Sequence, residues 1–179
     1  MAIKTMSMST GNHSYDEGWH ELEVTKAEYG TWEGTDASKQ YLDMWFKDYP
    51  ENFKMRVFEA RAKESNEEFK IANIFKRANA GIVSVLKDPT GKRPVIQYDD
   101  EPSGLVGKSI NAYFYKKAGK DGKSYAQPFE DIAPVAQQGE HLSYTDEDVK
   151  GIKASVEKRV AKVVKPIEQS TVTADDIPF

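Results

Sequence analysis

From Gly18 to Phe129 apolar and polar residues alternate in short runs, the two-residue period of strands that bury one face and wet the other. The clearest run is Gln40 to Lys47, where Leu42, Met44 and Phe46 point one way and Tyr41, Asp43, Trp45 and Lys47 the other. Tyr49-Pro50-Glu51-Asn52 reads as a turn into a strand over Phe53 to Phe58, with Phe53, Met55 and Val57 inward and Lys54, Arg56 and Phe58 outward. Earlier, Trp19 to Tyr29 sets Leu22 and Val24 on one face and then changes phase toward Ala27 and Tyr29, as a bulged or bent strand would. Gly30 to Ser38 reads as a turn-rich connection that leaves Trp32 in an acidic loop. Over Asn66 to Ala80 the period lengthens to that of a helix, with Ile71, Ile74, Phe75 and Ala78 on one stripe, Lys70, Lys76 and Arg77 at its polar edge, and Gly81 as the stop. Ile82 to Leu86 carries an apolar segment onward, and Asp88 to Gly107, with its Gly, Pro and acidic residues, reads as a long irregular connection. Lys108 to Lys117 and Ser124 to Phe129 then flank the basic turn Ala118 to Lys123, and Pro128 places the second arm at a sheet edge or strand end.

Five strands with a helix between the third and fourth give a mainly β fold with helices, in the order of an oligonucleotide-binding (OB) fold, a small, partly open, five-stranded Greek-key barrel. That domain is expected over residues 18–138, after a loose arm over 1–17. Residues 139–166 read as an amphipathic helix. Thr145 and Asp148 form a capping box at its start, Val149, Ile152, Val156, Val160 and Val163 line one face, and Pro166 ends it. The valine stripe is expected to dock on the barrel; pairing with a second helix in a dimer and contact with DNA are the alternatives. Residues 167–179 form a polar tail with too little apolar surface to fold alone.

Charge sharpens this picture. The net charge of −4 excludes a uniformly basic chain, but its distribution is uneven. Acidic residues outnumber Lys26, Lys39 and Lys47 between Asp16 and Asp48, whereas Lys70 to Arg93 is basic apart from Asp88, and Lys108 to Lys123 apart from Asp121. Brought together, the two basic segments would form a positive groove. There is no cysteine, so no disulfide framework or thiolate metal site is available, and His13, His20 and His141 are scattered; neither metal nor cofactor is expected. No apolar run approaches the length of a membrane span, and a soluble, unprocessed protein of the cytoplasm is expected.

The sequence closes on Asp175-Asp176-Ile177-Pro178-Phe179. Two carboxylates can engage Lys and Arg on a partner while the terminal ring and carboxylate enter a small pocket, and Pro178 lowers the cost of ordering the segment. This ending resembles the acidic tip of bacterial single-stranded DNA-binding proteins. The long Gly/Gln/Pro-rich linker of those proteins is missing, and the overall plan is closer to the divergent single-stranded DNA-binding proteins encoded by bacteriophages. The resemblance implies an OB fold, DNA as ligand, and host or phage replication, recombination and repair proteins as partners, in the cytoplasm of a bacterial host. A homo-oligomer is a further expectation, with a dimer favoured.

Sequence-tolerant grip on single strands needs cations for phosphates and exposed rings on which bases stack. Tyr41 and Trp45, then Lys54, Arg56 and Phe58, then Tyr113, Tyr115 and Lys117 supply both from the outward faces of three strands, and Lys116, Lys120 and Lys123 on the hairpin are placed to clamp the backbone. Trp45 and Tyr115 lead this set. No nucleophile context, phosphate-cradling loop or metal-ligand spacing is present, so no catalytic residues are assigned and the chain is read as a binding protein. The alternatives are an adaptor or inhibitor that carries the tip without binding DNA, and a metal-dependent nuclease built on Asp99, Asp100 and Glu101 or on Glu68 and Lys70.

Overall fold

The computed structural model describes residues 14–34, 37–88, 90–91 and 93–175, with side chains as far as 164. Among these described residues seven strands and two α-helices follow in order: β1 (Gly18–Glu33), β2 (Ser38–Phe46), β3 (Lys54–Phe58), α1 (Lys70–Ala78), β4 (Ile82–Leu86), β5 (Val95–Tyr98), β6 (Ser109–Ala118), β7 (Ser124–Pro134) and α2 (Asp146–Asp175). A single 3-10 turn, Pro102–Leu105, precedes β6. Five strands form one antiparallel sheet in the order β3-β2-β1-β6-β7, and β4 pairs with β5 in a separate hairpin.

The long first strand bends the sheet. Its first part, Gly18 to Glu23, pairs with β6; its second, Val24 to Glu33, pairs with β2, and the ladder shifts register between Val24 and Lys26. The extra residue changes the inward phase from Leu22 and Val24 to Ala27 and Tyr29, so the sequence reading of a bulge holds. Curled this way, the sheet brings β3 and β7 alongside each other, but no ladder joins them and the barrel is not closed.

Inside lie Leu42, Met44, Met55, Val57, Ile110 and Phe114, each almost wholly buried as the alternation predicts. Ile71, Ile74, Phe75 and Ala78 of α1 pack into the same core, and burying Ile74 and Phe75 completely contributes roughly 1.5–3 kcal/mol each. The start of α1 is held by Glu68, whose carboxylate accepts from the amides of Lys70, Ile71 and Ala72 at 3.0, 3.0 and 2.9 Å and from that of Ala60 at 3.0 Å. Glu68→Ala strands those donors and is expected to lower stability by about 2 kcal/mol, more than Glu68→Gln, in urea titrations.

Several boundaries differ from the sequence reading. The β1–β2 connection is only 34–37, and Trp32 is a strand residue rather than a loop residue. The helix stop is Asn79, left-handed at φ 54°, not Gly81; Gly81 (φ +64°) instead lets the chain pass Asp99, whose carbonyl oxygen would lie 2.3 Å from a Cβ there. The supposed irregular stretch after Asp88 contains β5, held by pairing with β4 that no local pattern announces.

The capping box of α2 forms as read, with the Thr145 amide on Asp148 Oδ2 at 3.0 Å and the Asp148 amide on Thr145 Oγ1 at 3.1 Å. Val149, Val156 and Val160 are buried, and Val156 and Val160 pack with Phe129 while Ile152 and Val164 close the edges; Val163 stays exposed. The helix docks on the outer faces of β6 and β7, the first of the three expectations for it. Its backbone continues through Pro166 to Asp175, where an end at Pro166 and an unfolded 167–179 were expected. A proline removes one amide from the ladder and strains one turn, at roughly 3 kcal/mol, while the bonds on either side persist. Residues 1–13 of the expected arm and the docking residues Asp176 to Phe179 lie outside the described residues, as does the side chain of Asp175. Within the arm expected to be loose over 1–17, Tyr15 instead packs edge-on against Tyr49 and Phe53. Among the described residues no helix is long and apolar enough to cross a membrane.

Candidate nucleic-acid interface

Antiparallel register makes a grid of the outward residues of β1, β2 and β3. Lys26, Trp45 and Lys54 share one row, Glu28, Asp43 and Arg56 the next, and Gly30, Tyr41 and Phe58 the third; Trp32 and Lys39 pair beyond them. Opposite residues on one sheet face stand within side-chain reach, so the grid is a continuous strip of contacts.

Along this strip Trp32 meets Phe58 edge-on with centroids 6.4 Å apart, and Phe58 meets Tyr41 at 5.7 Å. The Arg56 guanidinium lies 3.8 Å from the centre of the Tyr41 ring, and both arms of its fork donate to Asp43 at 2.8 Å. Lys54 lies 3.3 Å from the same carboxylate and 5.3 Å over Trp45, whose other cationic neighbour is Lys26 at 4.7 Å. The Trp45 indole N–H donates to the Glu51 carbonyl at 3.0 Å, which fixes the ring across the strand.

Asp43 organises the strip. Only 4% exposed, it was read as an outward polar residue, yet Arg56 and Lys54 from the neighbouring strand roof it over. Its hydrogen bond to Arg56 raises the guanidinium pKa further, so the arginine stays cationic, and the two-pronged contact fixes the guanidinium in place. Gly30 is the second organiser: a Cβ there would come within 2.3 Å of the Tyr41 ring, so glycine lets the ring lie flat across β1. Because the clash falls on the far end of a side chain, Gly30→Ala is expected to cost under about 1 kcal/mol of stability while displacing Tyr41 from Arg56. Weakened single-strand binding with an almost unchanged unfolding midpoint is the expected pair of results.

Electrostatically the strip carries Lys26, Lys39, Lys54 and Arg56 against Glu28 and Asp43, a cationic surplus on an acidic chain. Trp32 is its most open ring, at 50% exposure, while Tyr41, Trp45 and Phe58 are half-buried. Rings and cations alternating along an extended face suit a flexible polyanion with flat bases. Searched against known families and curated proteins, the chain matches no family model and no curated protein.

Of the residues expected to bind, Tyr41, Trp45, Lys54, Arg56 and Phe58 share this one face. Tyr113 and Tyr115 do not join them, because α2 lies over both: Tyr113 meets Trp19 edge-on at 5.3 Å, Tyr115 meets Phe129 at 6.0 Å and accepts from Gln127, and both pack against the valine cluster. Trp19 is fastened there too, donating to Glu157 at 2.7 Å. Tyr115→Ala is accordingly expected to loosen α2 rather than to remove a stacking platform. Lys116, Lys117, Lys120 and Lys123 are exposed on the β6–β7 hairpin. Beyond its tip, Ser124 to Gln127 face Pro50, Asn52 and Phe53 across an open cleft at the Lys54 end of the strip.

Lys26, Trp32, Lys39 and Asp43 were missed as strip residues. The signal was present for the first two, since the phase change at the bulge, carried on past Gly30, sends Lys26, Glu28, Gly30 and Trp32 outward together. Glycine was taken for a turn where it is a seat for a tyrosine. Several members of the rival acidic sites have other partners. Glu68 spends its oxygens on amides, Lys70 pairs with Glu130 at 2.6 Å, and Asp99 accepts from the Glu101 amide at 3.0 Å. Among the described residues no three potential ligands converge as a metal ion requires.

Proposed function

We propose that this chain binds single-stranded DNA without sequence preference along the outer face of β1, β2 and β3, and docks other proteins of replication, recombination and repair through Asp175 to Phe179. The open β-rich body is read as an OB-type barrel. One observation supports the reading above others: across three adjacent strands Trp32, Phe58, Tyr41 and Arg56 succeed one another in contact, Arg56 and Lys54 share the Asp43 carboxylate, and Lys54 and Lys26 both lie against Trp45. A row of this kind offers each base a ring or a guanidinium plane and each phosphate a nearby cation, and asks for no base-edge hydrogen bonds. The role is protective and recruiting, with no reaction catalysed. The resemblance of the final five residues to the bacterial acidic tip supports the docking half.

Salt titration of a fluorescent oligothymidine tests the DNA half, because cations that neutralise phosphates release counterions and give log K a steep negative slope in log salt. A slope near zero would leave the adaptor reading in its place. The hairpin is tested separately: changing Lys116, Lys117, Lys120 and Lys123 to Gln together is expected to flatten the slope by up to about 3, at roughly 0.7 per phosphate contact on single strands. An unchanged slope would take the hairpin out of the binding path.

A further inference from the structure

On the opposite side of α1 from the core, a second concave surface is left over by the DNA reading. It is an open groove of about 550 Å³ between α1 and the β4–β5 hairpin, within the size of ordinary binding clefts. Phe69, Ala72, Ile82, Val95, Ile96 and Tyr98 make its walls largely apolar. Phe69 is 44% exposed and Val95 51%, unusual exposure for large apolar residues side by side in a cleft. Lys76 and Arg93 stand at its polar margin. Of the acidic residues there, Glu68 is saturated by four amides and Asp88 is tied to the amide and hydroxyl of Thr90, which leaves Glu67.

We propose that this groove receives the segment Asp175-Asp176-Ile177-Pro178-Phe179 of a second copy of the chain. The chemistry is matched: Ile, Pro and Phe suit the apolar walls and the two aspartates suit Lys76 and Arg93. The segment comes from another molecule because α2 carries it away from the groove. The helix begins beside the C-terminal end of α1, where the Tyr144 hydroxyl donates to the Lys76 carbonyl at 2.8 Å. By Arg159 it has reached the other end of α1, beside Phe69 and Lys70, and it then crosses Tyr113 and Tyr115. From Arg159 to Asp175 is a further stretch of roughly 24 Å at the rise of an α-helix. Four more residues span at most about 14 Å. At that reach the segment falls short of its own groove, and a neighbour's groove is the one it can enter. A contact between two different surfaces of identical molecules closes into a ring only where the rotation between copies returns to the first; without that rotation, repetition gives a row of copies, an arrangement suited to coating a strand.

The interaction needs no DNA, so its test stands apart from that of the DNA reading. The full chain lacking Phe179 is titrated into a fluorescein-labelled peptide of residues 171–179, with no nucleic acid present. Binding is expected, at least tenfold weaker for the peptide without its phenylalanine and for protein carrying Phe69→Ala or Lys76→Glu, and unchanged by Trp45→Ala or by added oligothymidine. Both groove positions are solvent-exposed, and matched unfolding midpoints exclude misfolding as the cause. Sedimentation velocity of the intact chain is expected to show concentration-dependent growth that the Phe179 deletion removes. Four results overturn the proposal: no peptide binding, displacement of the peptide by oligothymidine, loss of oligothymidine affinity in the groove variants, or an intact chain that shields its groove at every concentration without associating.

Discussion

Replacing both Trp32 and Trp45 by alanine is expected to weaken oligothymidine binding a hundredfold or more, with each single variant losing about tenfold. Stacking one base on an aromatic ring is worth roughly 1–3 kcal/mol, and two independent rings at opposite ends of the strip combine nearly additively. Trp32 is the more direct case, since it is half exposed, meeting Phe58 in a T-shaped pair and lying over Gly34. Trp45 is braced by Glu51, Lys26 and Lys54, so its removal also frees two cations to reorient and is expected to cost some stability. Fluorescence anisotropy at fixed salt, beside an unfolding curve for each variant, separates the two effects. Undiminished affinity in the folded double variant would remove the outer face of β1, β2 and β3 as the binding surface.

Asp131→Ala is expected to have the largest effect on stability of any polar substitution, about 3 kcal/mol in denaturant titrations. Asp131 is 7% exposed and joins both helices to β7: Arg77 of α1 donates to it at 2.6 Å and Arg159 of α2 pairs with its other oxygen. Arg77 also donates to the Ile132 carbonyl at 2.9 Å and is itself largely buried, so losing the carboxylate leaves a cation that water reaches poorly. Breaking a buried pair from one side costs roughly 3–5 kcal/mol for that reason, with the lower end fitting the more exposed Arg159. The nearby Lys70–Glu130 pair has almost the same separation but both side chains are more than a third exposed; Glu130→Ala is expected to cost under about 1 kcal/mol. Equal losses from the two substitutions would show that burial is not what makes the Asp131 clasp strong.

Local pattern carried much of the fold. Leu42, Met44 and Phe46 against Tyr41 and Trp45, Met55 and Val57 against Arg56 and Phe58, the bulge after Val24, the stripe of α1 and the Thr145–Asp148 box are all arrangements within a few residues, where backbone geometry dictates what faces what. The same local logic misled at Gly30, which was taken to start a turn, and at Pro166, taken to end a helix, because each residue's usual cost was offset by surroundings. The β4–β5 pairing was missed for the complementary reason: two short strands are stabilised by each other more than by anything in their own composition.

Of the candidate site, the five residues on β2 and β3 were legible and the two tyrosines on β6 were not placed correctly. Tyr41 and Tyr115 look alike in sequence, each an outward aromatic in an alternating strand beside basic residues. What separates them is a helix some thirty residues or more away, whose valines remove the faces of Tyr113 and Tyr115 from water and leave Tyr41 alone. Asp43 is a second instance, its burial set by the strand opposite. Alternation thus determined two faces for every strand and the chemistry on each. Only the assembled structure decided which face meets solvent, because covering a surface is driven by apolar area contributed from remote segments, and no short stretch of chain records what will be packed upon it.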